Sequence, residues 1–381
     1  MNPTRHPRYD RPYTAMLIVP TGVGAAIGGY AGDALPVARA IAQVVDRLIT
    51  HPNVLNGAQL YWPLPNALYV EGYGLDQFAA RAWGLRPVRQ NRVGLLLDAG
   101  IEPELRWRHL QAADAARATL GLSLTEYVVT DAPLGVSLQT ADSGATWGTL
   151  QHPDSLLRGV ETLITQAKAE AIAVVARFPD DEGSNALHDY RHGQGVDPLA
   201  GAEAVISHLV VRTFQIPCAH APALSALPLD PTLSPKSAAE ELGHTFLPCV
   251  LVGLSRAPQF VCNAAQRQSG QDIWQDLWAN QVDALVIPAT ACGGSAVLSL
   301  SQTHTQIITV ADNTTRMQAT AESLGIRAIA VQSYLEALGV LVAHRAGLAP
   351  AALSPVVENV RAIAPSSSLQ SLTANFPKML A

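Results

Sequence analysis

Lysine is nearly missing from this chain of 381 residues: Lys168, Lys236 and Lys378 are the only three among 25 basic side chains. Few positions are therefore open to Schiff-base or phosphate-pairing lysine chemistry. Cysteine is scarce as well. Cys218, Cys249, Cys262 and Cys292 form no CxxC pair and are too few for a disulfide scaffold, which predicts a reducing, cytoplasmic setting. Charged residues make up 15% and the formal net charge is −6, which argues against a nucleic-acid partner. No segment approaches the ~18 uninterrupted apolar residues of a membrane helix, so no membrane partner is expected. Arg5, Arg8 and Arg11 before the uncharged stretch 12–32 have the outline of a signal peptide, but only Met16 to Val19 is compactly apolar. A strand leading into a glycine loop is the expected reading there.

What the chain does have is apolar material, at 48% of residues, enough for one large domain or two. Short β-type runs alternate with helix-length segments, which predicts an α/β fold of parallel, Rossmann-like sheets. In the C-terminal part, strands are expected at Asp283–Ile287, Gln306–Val310 and Ala328–Val331. Helices follow at about Thr315–Leu324 and from Ser333 to Arg345. Thr315 with Gln318, and Ser333 with Glu336, have capping-box spacing. Towards the N-terminus, strands are expected at Met16–Val19, Ala67–Val70, Val93–Leu97, Tyr127–Val129 and Ile172–Ala176, and helices at Leu35–Ile49, Glu102–Leu120 and Pro153–Ala169. Leu209–Ile216 and Cys249–Leu254 read as strand-like. The polar stretch 178–198 is the best boundary between two lobes, 1–178 and 179–381, with a cleft rimmed by glycine loops. The segment from Pro365 reads as a loosely attached tail.

In open parallel sheets, ligands bind beyond the carboxyl ends of the strands. The loops there carry Thr21 to Gly24, Glu71 to Gly74, Asp98, Asp131, Arg177, Thr290 to Ser295, Asp312–Asn313 and Gln332–Ser333. Thr21, Gly22, Gly24 and Gly28 open the richest of them. Closely spaced glycines let backbone N–H groups approach an anion, although the same glycines suit a tight turn with close packing. The spacing is G-x-G-x-x-x-G, with no Gly-Lys-Ser/Thr ending and no acidic residue closing a second strand. A P-loop and a dinucleotide site are thus not expected. The second loop, with Gly293 and Gly294, is a further anion cradle, and its Cys292 is either a nucleophile or an inert buried thiol.

His188 and His192 stand four apart around Asp189, a spacing that puts two imidazoles on one helix face and permits one divalent metal. Asp180, Asp181 and Glu182 are nearby oxygen donors. Arg191 and Arg256 are candidate charge partners for an anionic ligand, and His220 or His192 a general base. Asp312 and Asn313 read as helix caps or hydroxyl contacts. Ser123, Ser137 and Ser255 lack a G-x-S-x-G elbow.

One block is distinctive: LIVPTGVGAAIGGYAGDA from Leu17 to Ala34, followed by THPNVLNGA from Thr50 to Ala58. On it the chain resembles a family of cyanobacterial proteins, with plastid relatives, defined only as a domain of unknown function. The resemblance implies a soluble protein of photosynthetic organisms and supplies no reaction. It makes His51 and the turn Asn53 to Asn56 worth following, because they adjoin the glycine loop. Three readings stay open: a metabolic enzyme for a small anionic metabolite carrying phosphate or carboxylate, a metal-dependent hydrolase or lyase on His188 and His192, and a non-catalytic metabolite-sensing or assembly protein, each compatible with a homo-oligomer. Reaction class and cofactor are not assignable from the residues.

Overall fold

The computed structural model describes residues 11–180, 183–262 and 276–362. Fourteen strands lie in four sheets among these residues. The first three are β1 (Thr14–Leu17), β2 (Arg47–Thr50) and β3 (Ala67–Tyr69), followed by β4 (Gly84–Arg86), β5 (Val93–Leu97) and β6 (Leu124–Val129). Then come β7 (Val136–Thr140), β8 (Thr146–Leu150), β9 (Ala171–Arg177), β10 (Cys218–Ala223) and β11 (Gln259–Val261). The last are β12 (Val282–Pro288), β13 (Gln306–Val310) and β14 (Ala328–Val331).

The main sheet runs β14-β13-β12-β1-β2-β3, and every neighbouring pair is parallel. A second all-parallel sheet runs β10-β9-β5-β6. Antiparallel pairs β4–β11 and β7–β8 complete the set. The expected α/β fold with parallel sheets is present. β5 and β12 are buried along their whole length, as strands covered on both faces must be. Alternate residues feed two cores: Ala15 and Leu17 join one, Met16 the other.

The sheets do not divide at the expected boundary. β9 and β10 flank the stretch 178–198 and pair directly, Ile172 against Cys218 through Arg177 against Ala223. Residues before 70 share the main sheet with residues after 281. The polar stretch is therefore a crossover within one sheet. Three further expectations change for identifiable reasons. The helix begun at Leu35 ends at Val44 and the chain turns into β2, because the N–H groups of Asp46 and Arg47 both bond the carbonyl of Tyr13. Asn66 Nδ2 caps the carbonyls of Ala42 and Val45 at that helix end. Leu209–Ile216 and Cys249–Leu254 fall largely in the helices Ala200–Phe214 and Leu247–Ser255. Short apolar runs that are buried all round carry no period to tell strand from helix.

Residues 315–324 form no helix. Ala319 instead makes a parallel bridge with Ala291, its N–H bonding the carbonyl of Thr290 and its own carbonyl accepting from Cys292. The helix Tyr334–Arg345 does start as expected, with Ser333 Oγ accepting from the N–H of Glu336 at 3.3 Å. Asp181, Glu182, Arg5, Arg8 and the tail from Pro365 lie outside the described residues.

Asn313 clamps the loop after β1 to the segments that follow β13 and β14. Fully buried after β13, its Oδ1 accepts from the N–H of Ile27 at 2.9 Å, and its Nδ2 donates to the carbonyl of Ile27 and to Tyr334 Oη. Asn313→Ala should destabilise the protein by about 2–3 kcal/mol, since it strands several polar partners at once. A urea midpoint within experimental error of the parent would show that the loop holds without the clamp.

Candidate functional site

β1 is the place where the chain order of the main sheet reverses, with β2 and β3 on one side and β12 to β14 on the other. A crevice outside the carboxyl ends is expected at such a switch point. A cavity of about 1110 Å³ opens there. Its wall includes Val19 to Thr21 after β1, His51 to Asn53 after β2, Glu71 and Gly72 after β3, and Ala291 and Gly294 after β12. The helix Ala200–Phe214, strand β10 and the helix Pro235–Glu241 close the far side with Glu203, Ser207, His208, His220 and Glu240.

Both glycine loops border this cavity, and some of the amides in and beside them are already in use. The N–H of Gly28 donates to Asp33 Oδ1 and that of Ala31 to Glu240 Oε1. At the second loop the N–H of Ala296 donates to Asp76 Oδ1 at 3.0 Å. The anions that these three amides hold are the chain's own carboxylates. Gly24 and Gly28 have φ of 61° and 90°, and a Cβ would sit 2.8 Å from Val196 Cγ2 and 2.5 Å from Val19 Cγ1 respectively. They serve a left-handed turn packed against neighbouring chain. Gly22, likewise at positive φ, lies against Thr146, and Gly293 lies against Ala319. Of the expected loop contacts, Thr21 and Gly294 reach the wall.

The expected charge partners are committed elsewhere. Arg191 lines the cavity but forks onto Glu241 and donates to the carbonyl of Pro228. Arg256 is an exposed residue at the end of Leu247–Ser255, away from the wall. Asp312 is exposed and held by Gln332. Glu71, Asp76, Asp197, Glu203 and Glu240 all stand on the wall, so the cavity is lined by acidic groups with little free positive charge. A small anion is a poor match for it, for simple electrostatic reasons.

His188 and His192 do stack, with ring centroids 4.3 Å apart, after the helix Asn185–Arg191 that Ser184 caps. Among the described residues no third ligand joins them: His192 faces the carbonyl of His188, Thr232 Oγ1 and Asp230, and Asp180 is held by Arg177 and Ser225. Among the described residues no group of three His, Cys, Asp or Glu side chains is placed to hold a metal ion. The expected metal pair therefore reduces to a helix-end contact. Cys292 is fully buried, and burial pushes its thiol above the ordinary range. That corrects the nucleophile reading, because the protonated thiol is unreactive.

Proton-bearing groups converge instead. His220 lies between two side chains of the helix Ala200–Phe214, with Nδ1 3.2 Å from Ser207 Oγ and Nε2 3.6 Å from Glu203 Oε2. Glu71 accepts from the N–H groups of Tyr73 and Gly74 through Oε2 and pairs with His208 Nδ1 through Oε1. Burial lowers the pKa of His208, but the hydrogen bond and charge of Glu71, with the charge of Asp76, outweigh it and raise the value. Glu240 takes the hydroxyl of Tyr190 at 2.8 Å, and Tyr190 stacks on Tyr30. Desolvation, then the charges of Glu203 and Asp33, push the Glu240 carboxyl up to about 7 against the N–H of Ala31 and the Tyr190 hydroxyl. Asp197 is held far above the usual carboxylate range by burial and by the charges of Glu240 and Glu203. Both acids are recessed yet keep some accessible surface, as groups on the wall of a deep cavity do.

Only part of this was visible in the residues. His220 stood out beside its prolines, and the Glu71 loop and His51 were on the rim. Glu203, Ser207 and His208 were not, because their helix read as a strand. Asp197 and Glu240 carry no motif at all.

The chain belongs to the family described as Protein of unknown function (DUF3326), whose model matches residues 14–354. It is 62% identical over 345 residues to an Uncharacterized lipoprotein of a Synechococcus strain, covering 91% of this chain and 94% of that relative. No solved structure matches. The relative's name corrects the expectation of a cytoplasmic location, since a lipoprotein is held at a membrane by its lipid. No helix among the described residues is long and apolar enough to cross a membrane, but a lipid anchor needs none.

The pKa of Glu240 fixes the sign of a stability effect. Its carboxyl ionises near 4.5 in the unfolded chain and near 7 in the native one. The native state therefore binds the extra proton, and stability falls as pH rises through that window. Glu240→Gln, a mimic of the protonated acid, should stabilise the protein by on the order of 1–3 kcal/mol at pH 8 and by almost nothing at pH 4. Equal shifts in melting temperature at both pH values would mean that the native carboxyl is ionised.

Proposed function

We propose that this member of the DUF3326 family is an enzyme that binds a small, polar, uncharged or cationic metabolite in the cavity and moves protons on it. The observation that carries the reading is the joint placement on one wall of His220, set between Ser207 and Glu203, and of Glu240, set under Tyr190. A carboxyl that titrates near neutrality can give up and take back a proton at little cost, and an imidazole beside a carboxylate can do the converse. His220 accepts a proton from the ligand and Glu240 returns one, so no other reactant is consumed. The volume suits a metabolite of modest size, and a wall of acidic groups offers phosphates and carboxylates little counter-charge.

The test is untargeted turnover. The full chain is incubated with a defined mixture of polyols, sugars, amines and their acid and phosphate counterparts, and depletion is followed by mass spectrometry. Conversion of an uncharged or cationic compound is expected, slowed at least ~100-fold in His220→Gln and in Glu240→Gln. Binding without conversion would make the protein a receptor. Conversion confined to anions, or undiminished in both variants, would also overturn the proposal.

A further inference from the structure

Resting on the reading of the cavity as a ligand site, we propose that His51 is its ligand-facing donor, a neutral imidazole whose Nδ1–H holds an uncharged carbonyl oxygen of the metabolite. The argument starts from one hydrogen bond. The backbone N–H of Val19 donates to His51 Nε2 at 3.0 Å. An amide N–H has no lone pair to offer in return, so Nε2 carries the lone pair and the ring proton sits on Nδ1. The tautomer is thus fixed by the chain itself, at the point where β1 and β2 end side by side. His51 is 7% exposed, and what it exposes is on the cavity wall. Its Nδ1 has no partner among the described residues, and His51 makes no side-chain bond to the helix Pro52–Leu55 that it precedes. That nitrogen is open to the cavity rather than sealed in the core, so a ligand entering there can accept from it.

The same bond decides what kind of acceptor fits. An anionic ligand would draw a second proton onto the ring, but that proton would have to go to Nε2, directly against the N–H of Val19. The Val19 contact thus disfavours the imidazolium by its geometry, and burial is the main cause that carries the pKa down to about 4. An anion would therefore find no counter-charge at His51, and the acidic groups Glu71, Asp76, Asp197, Glu203 and Glu240 stand around the same wall. An uncharged carbonyl gains a hydrogen bond from a donor that stays neutral, and a neutral imidazole N–H polarises C=O without giving up its proton. Thr50, the preceding residue, keeps the strand end in place through its hydroxyl, which donates to the carbonyl of Leu17 at 2.7 Å.

The experiment is nitrogen NMR of the full chain with labelled histidine, using dihydroxyacetone, glycerol and glycerate as ketone, alcohol and anion probes. His51 is expected to show the Nδ1–H neutral pattern unchanged from pH 5.5 to 8. Dihydroxyacetone should shift its Nδ1 resonance saturably, at concentrations at least ~10-fold below those needed for glycerol or glycerate. His51→Gln places a neutral acceptor and donor on one side chain and should keep the preference for the ketone, whereas His51→Phe should lose it. An Nε2–H pattern, titration within that pH range, or equal response to the three probes would overturn the assignment, whether or not the phenylalanine variant folds. Turnover of an alcohol with no preference for the ketone would defeat this inference and leave the enzyme reading intact. A ketone preference with no turnover of any compound would do the reverse.

Discussion

The pairing of β1 with β12 is the contact on which the rest of the molecule depends. It joins the first described strand to one that begins about 265 residues after β1 ends, and it is secured at its entrance by side chains. Asp283 Oδ2 accepts from the N–H of Thr14 at 2.8 Å, while Arg11 reaches Asp283 and the carbonyl of Gln281. Once β1 sits between β2 and β12, loops from both ends of the sequence leave the same edge of one sheet. The cavity is the space those loops enclose, and the second sheet closes it through β10 and the helix Ala200–Phe214.

Charge inside that space is arranged unusually. The glycine loops offer amides that suit an anion, and the chain answers them with Asp33, Glu240 and Asp76 rather than leaving them for a ligand. Each of these carboxyls is raised in pKa chiefly by burial, so the amides offset part of a desolvation cost that they do not cancel. The result is a cavity rich in groups that change protonation with little free energy, and poor in free positive charge.

How far the residues alone could lead is seen strand by strand. β5, β13 and β14 match their expected limits to the residue because each is a short apolar run bounded by polar turns, and Ser333 caps its helix as its spacing implies. The carboxyl-end rule found the right side of the main sheet, and with it Thr21, Glu71 and Gly294, while His51 was singled out only by the distinctive block it belongs to. It could not find the partners of these residues. Glu71 meets His208 because two sheets face each other, and His220 meets Glu203 because the helix Ala200–Phe214 packs back on β10, relations that no local spacing encodes. The helices Ala200–Phe214 and Leu247–Ser255 are apolar on nearly every side, so the period that marks a helix is absent from them. The polar stretch 178–198 looked like a linker because its composition is that of one, yet β9 and β10 pair across it.

The long separation between β1 and β12 also sets an order of events during synthesis. β1 leaves the ribosome early, and its central place in the main sheet stays half empty until β12 follows. At about 5–20 residues per second that interval is on the order of 10–50 s. Through all of it, Ala15, Met16 and Leu17, each fully buried in the finished protein, have no partner strand on one flank. The four-stranded sheet, whose members all lie between residues 93 and 223, can assemble first and wait. The nascent chain therefore presents an apolar, unpaired strand edge for most of its time in translation, a surface of the kind that chaperones bind.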